Sequence, residues 1–187
     1  SVMIQELFSE ESVGTARAID AGEAAKFVVL LSFFNMAGRF LWSSLSDVIG
    51  RKNTYTIFFS LGIILYASIP SIGASGSLML FIAACAVIFT MYGGGFGTIP
   101  AYLRDLFGTK QVGAIHGRLL LAWSMAAILG PVLINYLRQY QLEVNKLPKA
   151  EVYSMTMYIM AGLLAIGLVC NLLVKPVNPN YHYKDKE

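Results

Sequence analysis

Five long apolar stretches are the feature that most limits what this 187-residue chain can fold into. An α-helix needs about 20 mostly apolar residues to cross the hydrocarbon core of a bilayer. Five stretches reach that length, at about 27–46, 54–72, 78–101, 117–137 and 153–174. Backbone amides inside hydrocarbon need partners within their own segment, and the alternating pattern of a membrane barrel is absent. The prediction is an all-α, polytopic membrane helix bundle.

The composition agrees with a bilayer environment and excludes other protein classes. Hydrophobic residues make up 56% of the chain and charged residues 13%, whereas soluble domains carry about 25% charged residues. A net charge of +3 without a basic stripe excludes a nucleic-acid-binding protein. Cys85 and Cys170 lie in apolar runs without metal-ligand spacing. We therefore expect both cysteines to be small buried hydrophobes rather than a disulfide or a metal site.

The chain is predicted to consist of a polar start, a membrane region and a short tail. Residues 1–25 carry charges throughout and lack the basic start and apolar centre of a signal peptide. We interpret them as the extracellular end of a truncated upstream span followed by a loop, and the alternative is a polar tail that forms the first segment of an integral membrane protein. Residues 26–175 contain the five spans, and residues 176–187 form the tail.

Lys and Arg residues on alternate loops predict the orientation, because cytoplasmic loops retain positive charge. One side of the predicted bundle holds Arg51, Lys52, Arg104, Lys110, Arg118, Lys175, Lys184 and Lys186. The opposite side is poorer and holds Arg17, Lys26, Arg138, Lys146 and Lys149. We therefore expect a multi-pass protein of a plasma or bacterial inner membrane, with the first side and the C-terminus in the cytoplasm.

Arg39 lies near the middle of the first span, where inserting a charge costs about 3 kcal/mol. On a helical wheel it shares one face with other polar side chains, namely Ser32, Asn35, Ser43 and Ser46. This pattern predicts a wet face on which the guanidinium binds a substrate carboxylate. The alternative is that Arg39 extends to the interface or pairs with a carboxylate elsewhere. No Asp or Glu lies within the five spans, which favours an external anion.

The glycine run of the third span and Trp123 of the fourth span each allow two interpretations. The run Tyr92, Gly93, Gly94 and Gly95, followed by Gly97 and Pro100, indicates either a bending, gating helix or close packing through small residues. Trp123, near mid-depth of the fourth span, is either a cavity contact or core filler. In the functional alternative, Tyr92 and Trp123 join the substrate site and the three glycines join the gate.

Catalytic and metal-binding patterns are missing from the sequence. It contains no P-loop, no G-x-S-x-G, no H-E-x-x-H and no paired carboxylates. His116 and His182 lack a second ligand at metal spacing, so we expect interfacial and exposed histidines. We predict no enzymatic activity, no metal and no cofactor.

The loop after the first span reads Ser-Ser-Leu-Ser-Asp-Val-Ile-Gly-Arg-Lys over residues 43–52. It resembles the G-x-x-x-D-x-x-G-R-K signature of the major facilitator superfamily, with Ser43 at the first glycine and Val48 where a basic residue is frequent. In such a loop, Asp47, Gly50, Arg51 and Lys52 form a charged hinge between two helices that forms in one transporter state and breaks in another.

Longer stretches resemble the C-terminal half of the oxalate/formate antiporter family. They are Phe-Asn-Met-Ala-Gly-Arg at 34–39, Tyr-Gly-Gly-Gly-Phe-Gly-Thr-Ile-Pro at 92–100, Asp-Leu-Phe-Gly at 105–108, and Lys-Pro-Val with Tyr-His in the tail. The resemblance implies that the five spans are helices 8 to 12 of 12 and that residues 1–25 contain the end of helix 7. It also implies a missing N-terminal six-helix half as partner.

The same resemblance implies a secondary active antiporter or symporter of small organic anions that works by alternating access. Family members that handle oxalate are associated with an Arg in helix 8, which Arg39 matches, and a Lys in helix 11, which has no counterpart here. One cation neutralises a dianion poorly in a low-dielectric cavity. This favours monocarboxylates such as formate, lactate or pyruvate over oxalate.

Two other functions remain open from the sequence. A carrier of neutral solutes would use Arg39 only structurally. A membrane sensor or scaffold would bind a carboxylate or a partner without moving it. We also expect the 187-residue piece to be inactive alone, because five helices lack the half that closes the pathway.

Overall fold

The computed structural model describes residues 21–143, 146 and 152–178, and the regular secondary structure in this part of the chain is entirely α-helical. The helices are α1 (Ala21–Ile49), α2 (Arg51–Ala74), α3 (Leu78–Phe107), α4 (Val112–Glu143) and α5 (Ser154–Leu173). All are long and apolar enough to cross a membrane, so the all-α prediction and the five spans are confirmed.

The first four helices run beyond the predicted apolar spans. Hydropathy marks only the part of a helix that suits hydrocarbon, while the hydrogen-bonded backbone continues into polar residues. The predicted boundary at residue 26 consequently falls inside α1. Residues 1–20 and 179–187 lie outside the described residues, and with them most of the predicted first segment and tail.

Glycines in the left-handed region of backbone space separate helices at one end of the bundle. Gly50, with φ of 88°, is the single residue between α1 and α2, and Gly108, with φ of 80°, ends α3. Residues with a side chain rarely adopt such backbone angles, so glycine is favoured at both turns. The Gly50 turn reverses the chain within one residue, which brings the end of α1 beside the start of α2.

Packing is uneven among the helices. The most extensive contact joins α1 to α3, the next joins α2 to α5, and α4 touches its neighbours least. A buried core lies where α1, α2, α3 and the start of α5 meet, and it contains Ala24, Leu31, Ile69, Phe81, Cys85, Tyr153 and Met157. None of the apolar span of α4 is buried in the described bundle.

Glycines bring the backbones of α1 and α3 into direct contact. A Cβ atom added to Gly93 would lie 2.0 Å from the Asn35 carbonyl oxygen, and one added to Gly38 would lie 2.1 Å from the Thr90 carbonyl oxygen. One on Gly94 would lie 2.5 Å from the Trp42 side chain. These distances favour the close-packing alternative for Gly93 and Gly94, since small residues let membrane helices approach closely. A gating role for the glycine run stays a prediction.

The two cysteines differ in their surroundings. Cys85 is buried in the core, as expected, whereas Cys170 is exposed on α5. The expectation of burial is therefore wrong for Cys170. Its apolar neighbours, including Val169 and Leu172, are also exposed. An apolar sequence run in a membrane helix can thus face outward as well as inward.

We expect Gly93→Ala to lower the stability of the bundle by about 1–3 kcal/mol, because the added methyl group must push α1 away from α3. Gly162→Ala on α5 is the matched control, since a Cβ there meets nothing within 4 Å. The apparent unfolding temperature in detergent measures both variants. Equal unfolding temperatures for the two variants would contradict the close-packing assignment.

Candidate functional site

An aromatic cluster between α3 and α4 lies beside the Arg39 guanidinium. The Arg39 Cζ atom lies 5.3 Å from the centroid of the Phe96 ring, within cation–π range. Phe96 and Trp123 meet edge to face with centroids 5.4 Å apart, and Tyr92 and Trp123 lie 5.3 Å apart. The structure therefore brings together three residues proposed from sequence, Arg39, Tyr92 and Trp123. Phe96, which contacts both Arg39 and Trp123, was not among the site residues proposed from sequence.

Arg39 is exposed on α1 and has no carboxylate partner among the described residues. Arg51 and Arg104 form ion pairs with Asp47 and Asp105 in that part of the chain, whereas no such pair is recorded for Arg39. A guanidinium keeps its charge at any physiological pH and carries five N–H donors. The Phe96 ring covers one side of that charge, which leaves the donor edges suited to an anion.

A cavity of about 430 Å³ opens beside this cluster. Tyr55 from α2, Tyr92 and Phe96 from α3, and His116 and Trp123 from α4 contribute to its mostly apolar wall. A second cavity of about 180 Å³ lies between α2, α3 and α5. The larger volume is within the range of small-molecule sites.

The predicted polar face of α1 is divided in the structure. Ser32 is exposed, and its hydroxyl donates to the Val28 carbonyl oxygen at 3.0 Å. Asn35 is half-buried where its carbonyl faces Gly93. Ser46 is only 1% exposed, so the expectation of a wet face is wrong at that end of the helix. The wheel grouped these residues correctly, but α3 packs against part of the same face.

Arg51 is the centre of the loop motif. Its guanidinium pairs with Asp47 and donates to the Ser46 hydroxyl and, at 3.3 Å, to the Ser43 carbonyl oxygen. Its Nε lies 3.6 Å from Asp105 Oδ2 at the end of α3. The Arg51 side chain is 12% exposed, so these contacts hold a largely buried charge. Asp105 is the acidic residue of this cluster that the sequence did not single out.

Lys52 ties the start of α2 to the end of α5. Its ammonium donates to the carbonyl oxygens of Leu172 and Val174, both at 2.8 Å. The Asn171 amide in turn donates to the Lys52 carbonyl oxygen at 3.2 Å. A cation at a helix C-terminus satisfies carbonyls that have no intrahelical partner. The loop motif therefore connects four helices rather than two.

Gly95 is held by a tyrosine of α2. The Tyr55 hydroxyl donates to the Gly95 carbonyl oxygen at 2.6 Å, and the Tyr55 ring stacks on Tyr102 with centroids 5.3 Å apart. The Thr98 hydroxyl lies 3.4 Å from the Tyr55 oxygen. The third glycine of the run thus accepts a hydrogen bond from another helix, while the first two pack against α1.

The sequence predicts an interfacial His116, and the structure shows a different environment. His116 lines the larger cavity, and its Nδ1 atom is buried without a hydrogen-bond partner among the described residues. His182 lies outside that part of the chain. Within residues 21–143 and 152–178, no group of three or more His, Cys, Asp or Glu could hold a metal ion.

Sequence comparison assigns the family. The sequence model of the Major Facilitator Superfamily matches residues 3–187. The chain belongs to the Major Facilitator Superfamily. The resemblance of the loop after α1 to the superfamily signature is thereby confirmed at the level of the family.

Two curated relatives match part of the chain. One is the "Oxalate:formate antiporter" of Oxalobacter formigenes, 32% identical over 117 residues, which are 63% of this chain and 28% of that protein. Another is the "Uncharacterized MFS-type transporter YhjX" of Escherichia coli (strain K12), 26% identical over 110 residues, 59% of this chain and 27% of that protein. The chain thus matches about a quarter of the length of these relatives. No solved structure matches it significantly.

We expect Arg51→Gln to destabilise the bundle by about 1–2 kcal/mol, because the buried Ser46 hydroxyl and the Asp47 carboxylate lose a charged donor. Arg104→Gln is the control. Arg104 is 58% exposed and lies 3.8 Å from Asp105, and exposed pairs contribute little. Thermal unfolding in detergent measures the difference. A larger loss for Arg104→Gln would show that the Arg51 contacts do not stabilise the loop.

Proposed function

We propose that this chain is part of a secondary transporter of small organic anions and that Arg39 binds the substrate carboxylate. The observation that carries the proposal is the Arg39 guanidinium in a membrane-spanning helix, without a carboxylate partner among the described residues and beside a cavity of about 430 Å³. Membership of the superfamily and similarity to a protein named for oxalate and formate support it.

The surroundings of Arg39 suit a carboxylate. The Phe96 ring stabilises the guanidinium through its π face, and the apolar wall around Trp123 lowers the local dielectric. Two parallel N–H···O bonds from a guanidinium match both oxygens of a carboxylate. Tyr92 adds a hydroxyl to the cavity wall, and Ser32 and Asn35 share the Arg39 face of α1.

Monocarboxylates such as formate, lactate or pyruvate are the proposed substrate class. No Lys or Arg is among the described residues that line the cavity, and Arg39 lies over the ring of the lining residue Phe96. A dianion such as oxalate needs a second positive charge to offset its desolvation. That charge would have to come from the N-terminal six-helix half that we propose as the partner of these helices.

Alternating access is the proposed mechanism, with α1 to α5 as helices 8 to 12 of 12. The loop motif of Asp47, Gly50, Arg51 and Lys52 joins helix ends on the side that we propose to be cytoplasmic. Such a cluster can hold one state and separate in the other. α4 packs least within the described bundle and borders the cavity, and tilting of α4 against α3 is the movement that we propose. No chemical step on the substrate is involved.

The test is counterflow of labelled formate, lactate, pyruvate and oxalate into proteoliposomes that contain the full-length transporter and unlabelled anion inside. We expect saturable uptake of a monocarboxylate, reduced about 100-fold in Arg39→Gln, because a charged hydrogen-bond donor is lost. Arg39→Lys should also be impaired, since lysine keeps the charge but loses the fork.

Arg118→Gln is the matched control for the loss of one positive charge. Arg118 is exposed and lies about 200° around α4 from His116, away from the cavity wall. It should transport normally. Normal carboxylate uptake by both Arg39→Gln and Arg39→Lys would leave Arg39 with a structural role only, and binding without uptake would favour a sensor. Uptake of oxalate alone would contradict the one-cation argument and leave the anion-anchor role of Arg39 intact.

A further inference from the structure

The turn of α3 that carries Phe96 is weakened by its own sequence. Pro100 lies inside α3 and has no N–H, so the Phe96 carbonyl oxygen lacks the donor that an α-helix supplies four residues further on. Gly95 and Gly97, on either side of Phe96, have low helix propensity. The aromatic ring that lies beside Arg39 therefore starts from a turn that its own helix supports poorly.

A tyrosine of α2 supports this turn from a neighbouring helix. The Tyr55 hydroxyl donates to the Gly95 carbonyl oxygen at 2.6 Å. That carbonyl belongs to the peptide unit that joins Gly95 to Phe96, so the bond fixes the backbone from which the Phe96 side chain starts. The buried Thr98 hydroxyl donates within the same turn, to the Gly94 carbonyl oxygen at 2.9 Å. The Tyr55 bond is thus the contact that connects the turn to α2.

The Tyr55 ring is itself held in place by contacts that do not involve its hydroxyl. The ring stacks on Tyr102 with centroids 5.3 Å apart and meets Phe58 edge to face with centroids 5.6 Å apart. Tyr102 in turn donates to the amide oxygen of the buried Asn171 on α5 at 3.2 Å. The hydroxyl of Tyr55 can therefore be removed while the ring contacts stay.

The α1 backbone at Arg39 packs against the same turn of α3. A Cβ atom added to Gly97 would lie 2.9 Å from the Ser43 hydroxyl oxygen and 3.6 Å from the Arg39 Cα atom. The Arg39 Cζ atom lies 5.3 Å from the centroid of the Phe96 ring. Cation–π attraction acts within about 6 Å of the ring centroid. A small rotation of the turn would consequently take the Phe96 ring out of reach of the guanidinium.

We propose that Tyr55 is a positioning residue that acts through the α3 backbone. Its hydroxyl fixes the peptide unit before Phe96 and thereby holds the Phe96 ring against the Arg39 guanidinium. The proposal rests on the proposed function and deepens it, because it names a residue that sets the affinity for the anion without touching the anion. When the bond is lost, the Phe96 ring leaves its place, and Arg39 loses the π face that keeps its donor edges toward a carboxylate.

The first test is the variant Tyr55→Phe, which removes the hydroxyl and keeps the ring. In proteoliposomes of the full-length transporter, we expect its KM to rise about fivefold, as for one lost hydrogen bond. The labelled anion is the one of formate, lactate, pyruvate and oxalate that the unaltered protein takes up. The kcat should not change, since an interaction that contributes equally to all bound states affects KM alone.

Tyr66→Phe is the matched control. Tyr66 is another half-buried tyrosine of α2, and it lies about 16 Å further along the helix axis, packed against the core. Its KM should equal that of the unaltered protein. An equal rise in KM for both tyrosine variants would overturn the assignment to the Gly95 bond.

A double-mutant cycle tests whether the effect passes through Phe96. Phe96→Leu alone should raise the KM, because leucine has no π face for the guanidinium. Tyr55→Phe added to Phe96→Leu should then give no further rise, since the two substitutions remove one shared interaction. Effects that multiply independently would contradict the proposal and indicate that the Tyr55 hydroxyl contacts the anion directly.

Pro100→Ala provides a rescue experiment. Alanine restores an N–H for the Phe96 carbonyl oxygen, so the turn no longer depends on the bond from α2. Tyr55→Phe should therefore raise the KM less in the Pro100→Ala protein than in the unaltered one. A rise of equal size in both proteins would contradict the role of the weakened turn.

Hydrogen–deuterium exchange of the purified full-length transporter in detergent checks the backbone step without transport. We expect the amides of residues 97–104 to exchange faster in Tyr55→Phe than in the unaltered protein, because local opening of the turn is easier. Tyr66→Phe should leave these rates unchanged. Equal rates in Tyr55→Phe and the unaltered protein would overturn the proposal.

Failure of this proposal is distinguishable from failure of the proposed function. Anion uptake that depends on Arg39 but has an unchanged KM in Tyr55→Phe overturns the role of Tyr55 and leaves the transporter assignment intact. Absence of anion uptake in the unaltered protein overturns the proposed function, and with it the effect of Tyr55 on affinity. If Tyr55→Phe folds but does not transport, the exchange measurement decides.

Discussion

The direct contact between the backbones of α1 and α3 is the constraint on which the candidate site depends. Gly38 and Gly93 lie where any side chain would collide with the facing carbonyl oxygen. Because the two helices approach this closely, Arg39, one residue after Gly38, reaches the Phe96 ring. Wider separation would move the guanidinium out of cation–π range. The packing glycines and the charged residue therefore belong to one arrangement, in which small residues set the position of a large one.

At the other end of these helices, the loop motif connects the helix ends. Arg51 gathers acceptors from α1 and α3, while Lys52 caps α5. Each cation replaces hydration with several oxygen ligands, so the helix ends are joined by many moderate contacts rather than one strong pair. α4 stands outside this cluster, and its Trp123 ring contacts Tyr92 and Phe96 of α3 beside the cavity. Contacts of the loop motif thus connect α1, α2, α3 and α5, whereas α4 has few contacts with the other helices.

Sequence reasoning succeeded where the signal is local. The five spans follow from apolar length, and Asp47 and Arg51, which the loop motif places near each other, form an ion pair in the structure. Sequence reasoning was incomplete for features that depend on which faces of two helices pack against each other. The wheel grouped Ser46 with Arg39 but could not reveal that Ser46 is buried under Arg51. The contacts of Phe96 and Asp105 and the burial of His116 Nδ1 likewise depend on how neighbouring helices pack. The spacing of residues within one span does not encode that packing.

The two cavities share part of their walls. Tyr55, Phe59, Met91 and Tyr92 line both the larger and the smaller space. These four residues therefore form the boundary between the two cavities. Shortening these four residues would merge the spaces into one longer chamber without altering the glycine contact of α1 and α3. A few side-chain substitutions can accordingly enlarge the cavity without changing Arg39, the proposed anion-binding residue.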